Sequence, residues 1–187
     1  MSRPITHRYR DPLDVIWLGV ARKLGWQVVR SSEVYAAWDG ERTLTLSTPE
    51  HLDPDDCLAQ MILHEICHAL VEGPDSPQQL DWGLYGFGDD DAVREHACHR
   101  LQAALADTVG LRVFFAVTTD WRPYYDALPA DPLAPGDDPA IERARAAWTQ
   151  ATSGPWAGPI FEGLALTAGI RTMIERFCDD DDLWRAK

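Results

Sequence analysis

The sequence lacks any long hydrophobic run and begins without an apolar leader. No stretch of about 18 consecutive apolar residues, the length that a transmembrane helix needs, occurs along the chain. The segment from Met1 to Arg10 is polar and basic, unlike the apolar centre of a signal peptide. We therefore expect neither a membrane span nor a signal peptide, and we expect a cytoplasmic location.

Positive charge is scarce as well. The 17 Lys and Arg residues are outnumbered by 30 Asp and Glu residues, which gives a formal net charge of −13. Nucleic acid and anionic membranes would repel such a chain, so we expect neither as a partner. The charge slightly favours a basic substrate or partner, although a solvated acidic surface explains it equally well.

Cysteine is rare, and its spacing contains no CxxC pair. The four residues are Cys57, Cys67, Cys98 and Cys178. In a chain without a secretion signal, this pattern is typical of reduced thiols rather than of a disulfide framework. Cys67 and Cys98 lie close in sequence to the candidate metal ligands described below. We interpret both as small buried packing residues, with a soft thiolate ligand as the alternative.

The residues that are present predict one domain over residues 1–187 with an α+β fold. The chain is long enough for one sizeable core, and 45% of it is hydrophobic. We expect a small, mostly antiparallel sheet packed against a helix, with further helices behind it. The predicted elements are helices over 12–24, 54–72, 90–108, 140–150 and 160–177, and strands over 26–30, 34–38, 43–47 and 112–118.

Turn and cap residues set the predicted boundaries. Asp39-Gly40 is typical of a hairpin turn between two strands. Asp53 as N-cap and Pro54 at the first helical position predict the start of the helix over 54–72, and Gly73-Pro74 predicts its end. The Pro- and Asp-rich segment 129–139 predicts an exposed loop.

Inside the helix over 54–72 lies an HExxH motif, His64-Glu65-Ile66-Cys67-His68. Two histidines four residues apart project from the same face of a helix, so both imidazoles can reach one Zn²⁺ at about 2.0 to 2.1 Å. Glu65 lies beside them, where it can take a proton from a zinc-bound water and later deliver it to a leaving group. The motif therefore predicts a zinc hydrolase site with His64 and His68 as ligands and Glu65 as catalytic base.

A catalytic zinc site usually has three protein ligands and one open position, so a third ligand is needed. The helix over 90–108 carries Glu95 and His99 on a face whose other residues are alanines. Such a face lets the HExxH helix approach closely. Glu95 could bind the metal with His99 as its neighbour, or His99 could bind while Glu95 hydrogen-bonds a ligand histidine.

The order of a helix, a short sheet, an HExxH helix, a loop and a helix with a lone Glu resembles the minimal gluzincin domain of ImmA/IrrE-type metallopeptidases. The resemblance covers Pro12 to Thr108, and HExxH is its specific motif. In that family the third ligand is a glutamate at the start of the following helix. The resemblance therefore implies His64, His68 and Glu95 as ligands in a zincin that hydrolyses peptide bonds. No basic segment predicts the helix-turn-helix module of regulatory members.

The sequence thus predicts a zinc-dependent metallopeptidase acting on a peptide or protein. One alternative is a non-proteolytic zinc protein that uses the same ligands for binding or regulation. A second is a metal-free interaction module with packed histidines and a tryptophan contact surface. The tryptophans of that surface would be Trp82, Trp121, Trp148 and Trp156. The candidate donors to an oxyanion are Tyr85, Tyr124, Tyr125 and His96.

Overall fold

A computed structural model describes residues 4–84 and 89–185. Within those ranges the predicted α+β class is confirmed, with six α-helices and one three-stranded sheet. No helix in the described ranges is both long and apolar enough to cross a bilayer. The elements are α1 Pro12–Lys23, β1 Gln27–Ser31, β2 Ala36–Trp38, β3 Thr43–Ser47, α2 Leu58–Val71, α3 Asp89–Asp107, α4 Arg122–Asp126, α5 Ala140–Ser153 and α6 Ala157–Ile174.

The sheet is mixed, so the expectation of a mostly antiparallel sheet is wrong. Strand β3 lies in the middle, parallel to β1 and antiparallel to β2. The Asp39-Gly40 hairpin accounts for the antiparallel pair, because Asp39 Oδ1 accepts three backbone N–H bonds from Glu41, Arg42 and Thr43. The other edge of β3 pairs with β1. This pairing is parallel and spans five residues of each strand, against three in the antiparallel pair.

Helix α2 begins at Leu58, four residues after the predicted start at Pro54. The side chain of Asp56 explains the difference, because its carboxylate accepts hydrogen bonds from the hydroxyls of Tyr35 and Thr118. These contacts hold the preceding residues in a turn. The helix starts instead where the Gln60 side chain accepts the backbone N–H of Cys57 at 2.5 Å.

The predicted strand over 112–118 is also wrong, since this segment forms turns and irregular backbone. Its carbonyls are bonded by side chains rather than by a neighbouring strand. Gln102 Nε2 donates to the Phe115 carbonyl at 2.6 Å, and Gln60 Nε2 donates to the Ala116 carbonyl at 3.3 Å. Buried carbonyls satisfied in this way need no strand partner.

The remaining helices pack around α2. Helix α3 contacts both α2 and α5, and α1 contacts α2 and α6. Arg100 of α3 reaches the loop over 129–139, where its guanidinium bonds the Pro132 carbonyl at 2.6 Å and the Asp138 carboxylate at 2.8 Å. The loop is mostly exposed but anchored at these two points.

Helix α6 approaches α1 closely at Gly163. A Cβ built on Gly163 would lie 2.7 Å from Cγ2 of Val20, a buried and β-branched side chain that cannot move far. Nearby, the indole of Trp17 donates to the hydroxyl of Thr167 at 3.0 Å. Glycine is therefore required at position 163 to seat the two helices.

We predict that Gly163→Ala lowers the free energy of unfolding by about 1 to 3 kcal/mol, because the added methyl overpacks the contact with Val20. Gly169→Ala, in the same helix, is the matched control. Nothing lies within 4 Å of its new Cβ, so it should raise stability by up to about 1 kcal/mol through helix propensity. Urea unfolding of both variants measures the difference. Equal effects at the two positions would contradict the packing described here.

Candidate metal centre

Helices α2 and α3 bring the sequence-predicted site residues together. His64 and His68 lie on α2, Glu95 and His99 lie on α3, and all four side chains meet between the two helices. The two helices pack directly against each other, which allows side chains from both to meet.

The donor atoms of His64, His68 and Glu95 form a compact triangle. The two imidazole Nε2 atoms are 3.0 Å apart. Glu95 Oε1 lies 3.4 Å from His64 Nε2, and Oε2 lies 3.3 Å from His68 Nε2. Tetrahedral zinc with bonds of about 2.0 to 2.1 Å places neighbouring ligand atoms about 3.3 Å apart. The spacing and the nitrogen and oxygen donors therefore fit a zinc ion.

His99 lies beside both Glu95 and His64, and its ring stacks on the His64 ring with centroids 5.6 Å apart. Its Nε2 lies 3.1 Å from Glu95 Oε1, but the contact is misaligned for a hydrogen bond. Its side chain is 0% exposed, and neither ring nitrogen has a hydrogen-bond partner among the described residues. The ligand atoms of His64, Glu95 and His99 still lie within 4.8 Å of one another, so both expected third ligands reach the centre.

The charges favour a cation between the helices. Burial opposes ionisation of Glu95, yet the neighbouring His68 and His64 hold the pKa of its carboxyl well below the usual range. Burial also acts to lower the pKa of His64, but the hydrogen bond and charge of Glu95 outweigh it and raise that pKa to about 10. Burial lowers the pKa of His68 and of His99. The Glu95 carboxylate therefore stabilises positive charge between the helices, and a bound metal ion would supply such a charge.

Gln102 orients the His64 ring and was not among the residues expected from sequence. Its Oε1 lies 2.9 Å from His64 Nδ1, while its Nε2 donates to the Phe115 carbonyl. Because the amide oxygen can only accept, Nδ1 carries a proton, which leaves Nε2 as the ring nitrogen available to a metal ion. A sequence signal existed, since Gln102 lies seven residues after Glu95 and so shares its helical face.

All four cysteines lie in the described ranges and are free thiols, as predicted. Cys98 Sγ is 3.5 Å from His64 Nδ1 and 3.5 Å from the His64 carbonyl. Burial raises the pKa of the Cys98 thiol, so the neutral thiol is favoured over a thiolate ligand. The grouping of His64, His68 and Cys98 within 4.8 Å could nevertheless hold a metal ion.

A cavity of about 300 Å³ opens beside the histidines. Glu65 lines it together with His64, His68 and Glu95, which places the expected base next to the expected ligands. The Glu65 carboxylate is buried, and its Oε2 accepts a hydrogen bond from the indole of Trp82 at 2.7 Å. Trp82 is a second contributor to the site that sequence reasoning missed.

Of the four expected oxyanion donors, the three within the described residues do not line this cavity. Tyr124 donates to Asp138, and Tyr125 donates to the Arg112 carbonyl. His96 stacks on the Tyr124 ring at 3.6 Å and lines no part of the cavity. Tyr85 lies outside the described residues. Tyr35 supplies a phenol to the cavity wall instead.

No protein-family model, curated protein or solved structure matches this chain.

We predict that Glu95→Ala removes most of the zinc affinity, whereas His99→Ala weakens it by about 10- to 100-fold, the usual effect of losing a partner behind a ligand. The reason is that Glu95 directs both carboxylate oxygens at the two α2 histidines, whereas His99 directs its Nε2 at Glu95 and stacks on the His64 ring. Competition with a chromogenic chelator measures both affinities. Loss of the metal in His99→Ala with retention in Glu95→Ala would make His99 the ligand.

Proposed function

We propose that this chain is a zinc-dependent metallopeptidase that hydrolyses a peptide bond, with Glu65 as general base. The observation that supports it is the donor triangle of His64, His68 and Glu95 on the wall of an open cavity that Glu65 also lines. A closed structural site would have a fourth protein ligand and no adjoining cavity. The order of elements up to α3, which resembles the ImmA/IrrE-type gluzincin domain, favours the same function.

The chain's own groups divide the chemistry of hydrolysis among them. Bound zinc would polarise the scissile carbonyl and lower the pKa of a water to about 7. Glu65 accepts a proton from the attacking water as the new C–O bond forms. It returns that proton to the leaving nitrogen as the C–N bond breaks. Gln102 holds the His64 ring with Nε2 directed at the centre, and Glu95 balances the positive charge.

The cavity lining favours a peptide that is neutral or basic. Apart from the histidines of the metal centre, every ionisable acid or base on its described wall except the Tyr35 phenol is a carboxylate, and the whole chain carries a net charge of −13. An acidic peptide would be repelled by Asp56 and Asp120, which line the same cavity. Apolar contacts are available from Met61, Val117 and Trp121.

The alternative of a tryptophan contact surface is wrong for Trp82. That residue is only 2% exposed, and its indole is bonded to Glu65. Trp148 and Trp156 are half-buried and pack against the main core. Trp121 lies at the cavity, where it is available to a substrate.

We predict that the protein binds about one zinc per chain and is stabilised by it. At a free zinc concentration of 100 times Kd, a site present only in the folded state adds about 2.7 kcal/mol to the free energy of unfolding. The double variant His64→Ala with His68→Ala should lose both the metal and the stabilisation. Elemental analysis and thermal unfolding with and without zinc measure these effects. An equal zinc-induced shift in the double variant would mean that the metal binds elsewhere.

We further predict that Glu65→Gln keeps its zinc but loses at least about 100-fold in turnover, because the amide cannot accept the proton. Glu142→Gln, an exposed helical glutamate, is the matched control and should retain full activity. Zinc content and cleavage of a peptide library are measured on the same preparations. Full turnover by zinc-loaded Glu65→Gln would refute the proposed mechanism. A zinc-loaded wild-type protein that cleaves none of the library would favour a non-proteolytic zinc protein.

A further inference from the structure

We propose that Trp82 is a positioning residue that fixes the Glu65 carboxylate at the wall of the cavity. The inference rests on the proposed function, in which Glu65 is the base. The Trp82 indole Nε1 donates to Glu65 Oε2 at 2.7 Å, and the two side chains are 2% and 5% exposed. The indole N–H can only donate a hydrogen bond and an ionised carboxylate can only accept one, so the direction of this bond is fixed.

An unusual backbone turn aims the indole at Glu65. Asp81, Trp82 and Gly83 have φ angles of 44°, 59° and 77°, so three successive residues adopt the left-handed conformation. Non-glycine residues rarely adopt it, least of all bulky ones. Such backbone persists where the surrounding structure over-determines it, and it is concentrated at functional sites.

The turn is held by contacts on both sides of Trp82. Asp81 Oδ1 accepts the backbone N–H of Trp38 at 2.9 Å, which ties the turn to strand β2. Arg94 Nη1 of α3 donates to the Gly83 carbonyl at 3.1 Å, while its Nε pairs with Glu72 at the end of α2. The turn is therefore fastened to the sheet and to both site helices.

Aromatic packing fixes the plane of the indole ring. Trp82 stacks on Trp38 with ring centroids 4.4 Å apart and an interplanar angle of 12°. Trp26 packs on the same ring at 5.2 Å. The Trp38 indole in turn donates to the Pro77 carbonyl, at the start of this loop, at 2.9 Å. Because the ring cannot tilt without losing these contacts, the position of its N–H is set by the fold.

The consequence for Glu65 is a defined carboxylate orientation. One oxygen is occupied by the indole, and an ionised carboxylate has a second oxygen with which to accept a proton. Holding a catalytic group in its reactive geometry is a large part of what an active site contributes to rate. The strain in the Asp81–Gly83 turn is thus coupled to the geometry of the base.

The hydrogen bond itself can be tested in the metal-free protein by ¹H–¹⁵N NMR of the tryptophan indoles. Trp82→Phe assigns the Trp82 signal among the eight tryptophans. We expect that signal to be shifted downfield and to exchange slowly with D₂O. Glu65→Ala, which leaves Trp82 in place, should move it more than any other indole signal. An unmoved Trp82 signal in Glu65→Ala would overturn the proposal, whatever the protein's activity.

The effect on catalysis is tested with Trp82→Phe, which keeps an aromatic ring and removes the N–H. We expect kcat to fall by about 10- to 100-fold with KM and zinc affinity little changed. Trp148→Phe is the matched control, since it makes the same change at a half-buried core tryptophan that the positioning argument does not use, and it should keep its kcat. In the Glu65→Gln background, Trp82→Phe should cause no further loss, because its effect passes through Glu65.

The outcomes separate this inference from the function on which it rests. Equal kcat in Trp82→Phe and Trp148→Phe overturns the positioning role while leaving the peptidase proposal intact. A further loss in the double variant also overturns it, because Trp82 would then act independently of Glu65. A wild-type protein without any zinc-dependent cleavage refutes the peptidase function, and the NMR result still decides whether the indole holds the carboxylate. Should Trp82→Phe fail to fold, triple-resonance NMR of the wild-type protein assigns the Trp82 indole signal, and Glu65→Ala still provides the decisive readout.

Discussion

Glu95 carries a negative charge in the interface between α2 and α3, where its side chain is 16% exposed. A carboxylate taken out of water in this way requires compensating positive charge or hydrogen bonds, because its desolvation is costly. The two α2 histidines supply that compensation at 3.3 and 3.4 Å. A cation bound between Glu95 and the two histidines would compensate the carboxylate charge further. This buried group of charges constrains how α2 and α3 can pack against each other.

Small buried residues lie where helices of this fold pack closely. Ala97 and Ala106 of α3 are fully buried in the main core, to which α2 also contributes. Where α6 packs on α1, Gly163 leaves no room for a Cβ. Close backbone approach leaves little space for compensating movement, which is why single added methyl groups are expected to matter in such interfaces.

The site draws on three separate parts of the chain with different tasks. Helix α2 provides two nitrogen donors and the base, and α3 provides the carboxylate and the Gln102 amide that orients His64. The loop between them provides Trp82, whose indole reaches Glu65 from a left-handed turn. The segment over 116–121 completes the cavity wall without regular structure. Gln60 of α2 donates to the carbonyl of Ala116, and Gln102 of α3 donates to that of the preceding Phe115.

Local pattern was sufficient for the parts of this protein that depend on neighbours in sequence. The Asp39-Gly40 dipeptide predicted the hairpin, and the Asp39 side chain caps that turn within a few residues of itself. His64 and His68 share a face because residues four apart do so in an α-helix. The same rule placed Glu95 and His99 together on α3.

Only the tertiary structure decided which faces meet. Three features depend on contacts between residues more than ten positions apart in the sequence. They are the placement of β3 between β1 and β2, the turn that delays α2 until Leu58, and the irregular path of 112–118. The periodicity of apolar residues within one segment does not predict which distant segment will contact it. Trp82 is the clearest case. Its residue type disfavours a left-handed turn, so local propensity points away from the conformation that stacking on Trp38 and the bond to Glu65 stabilise.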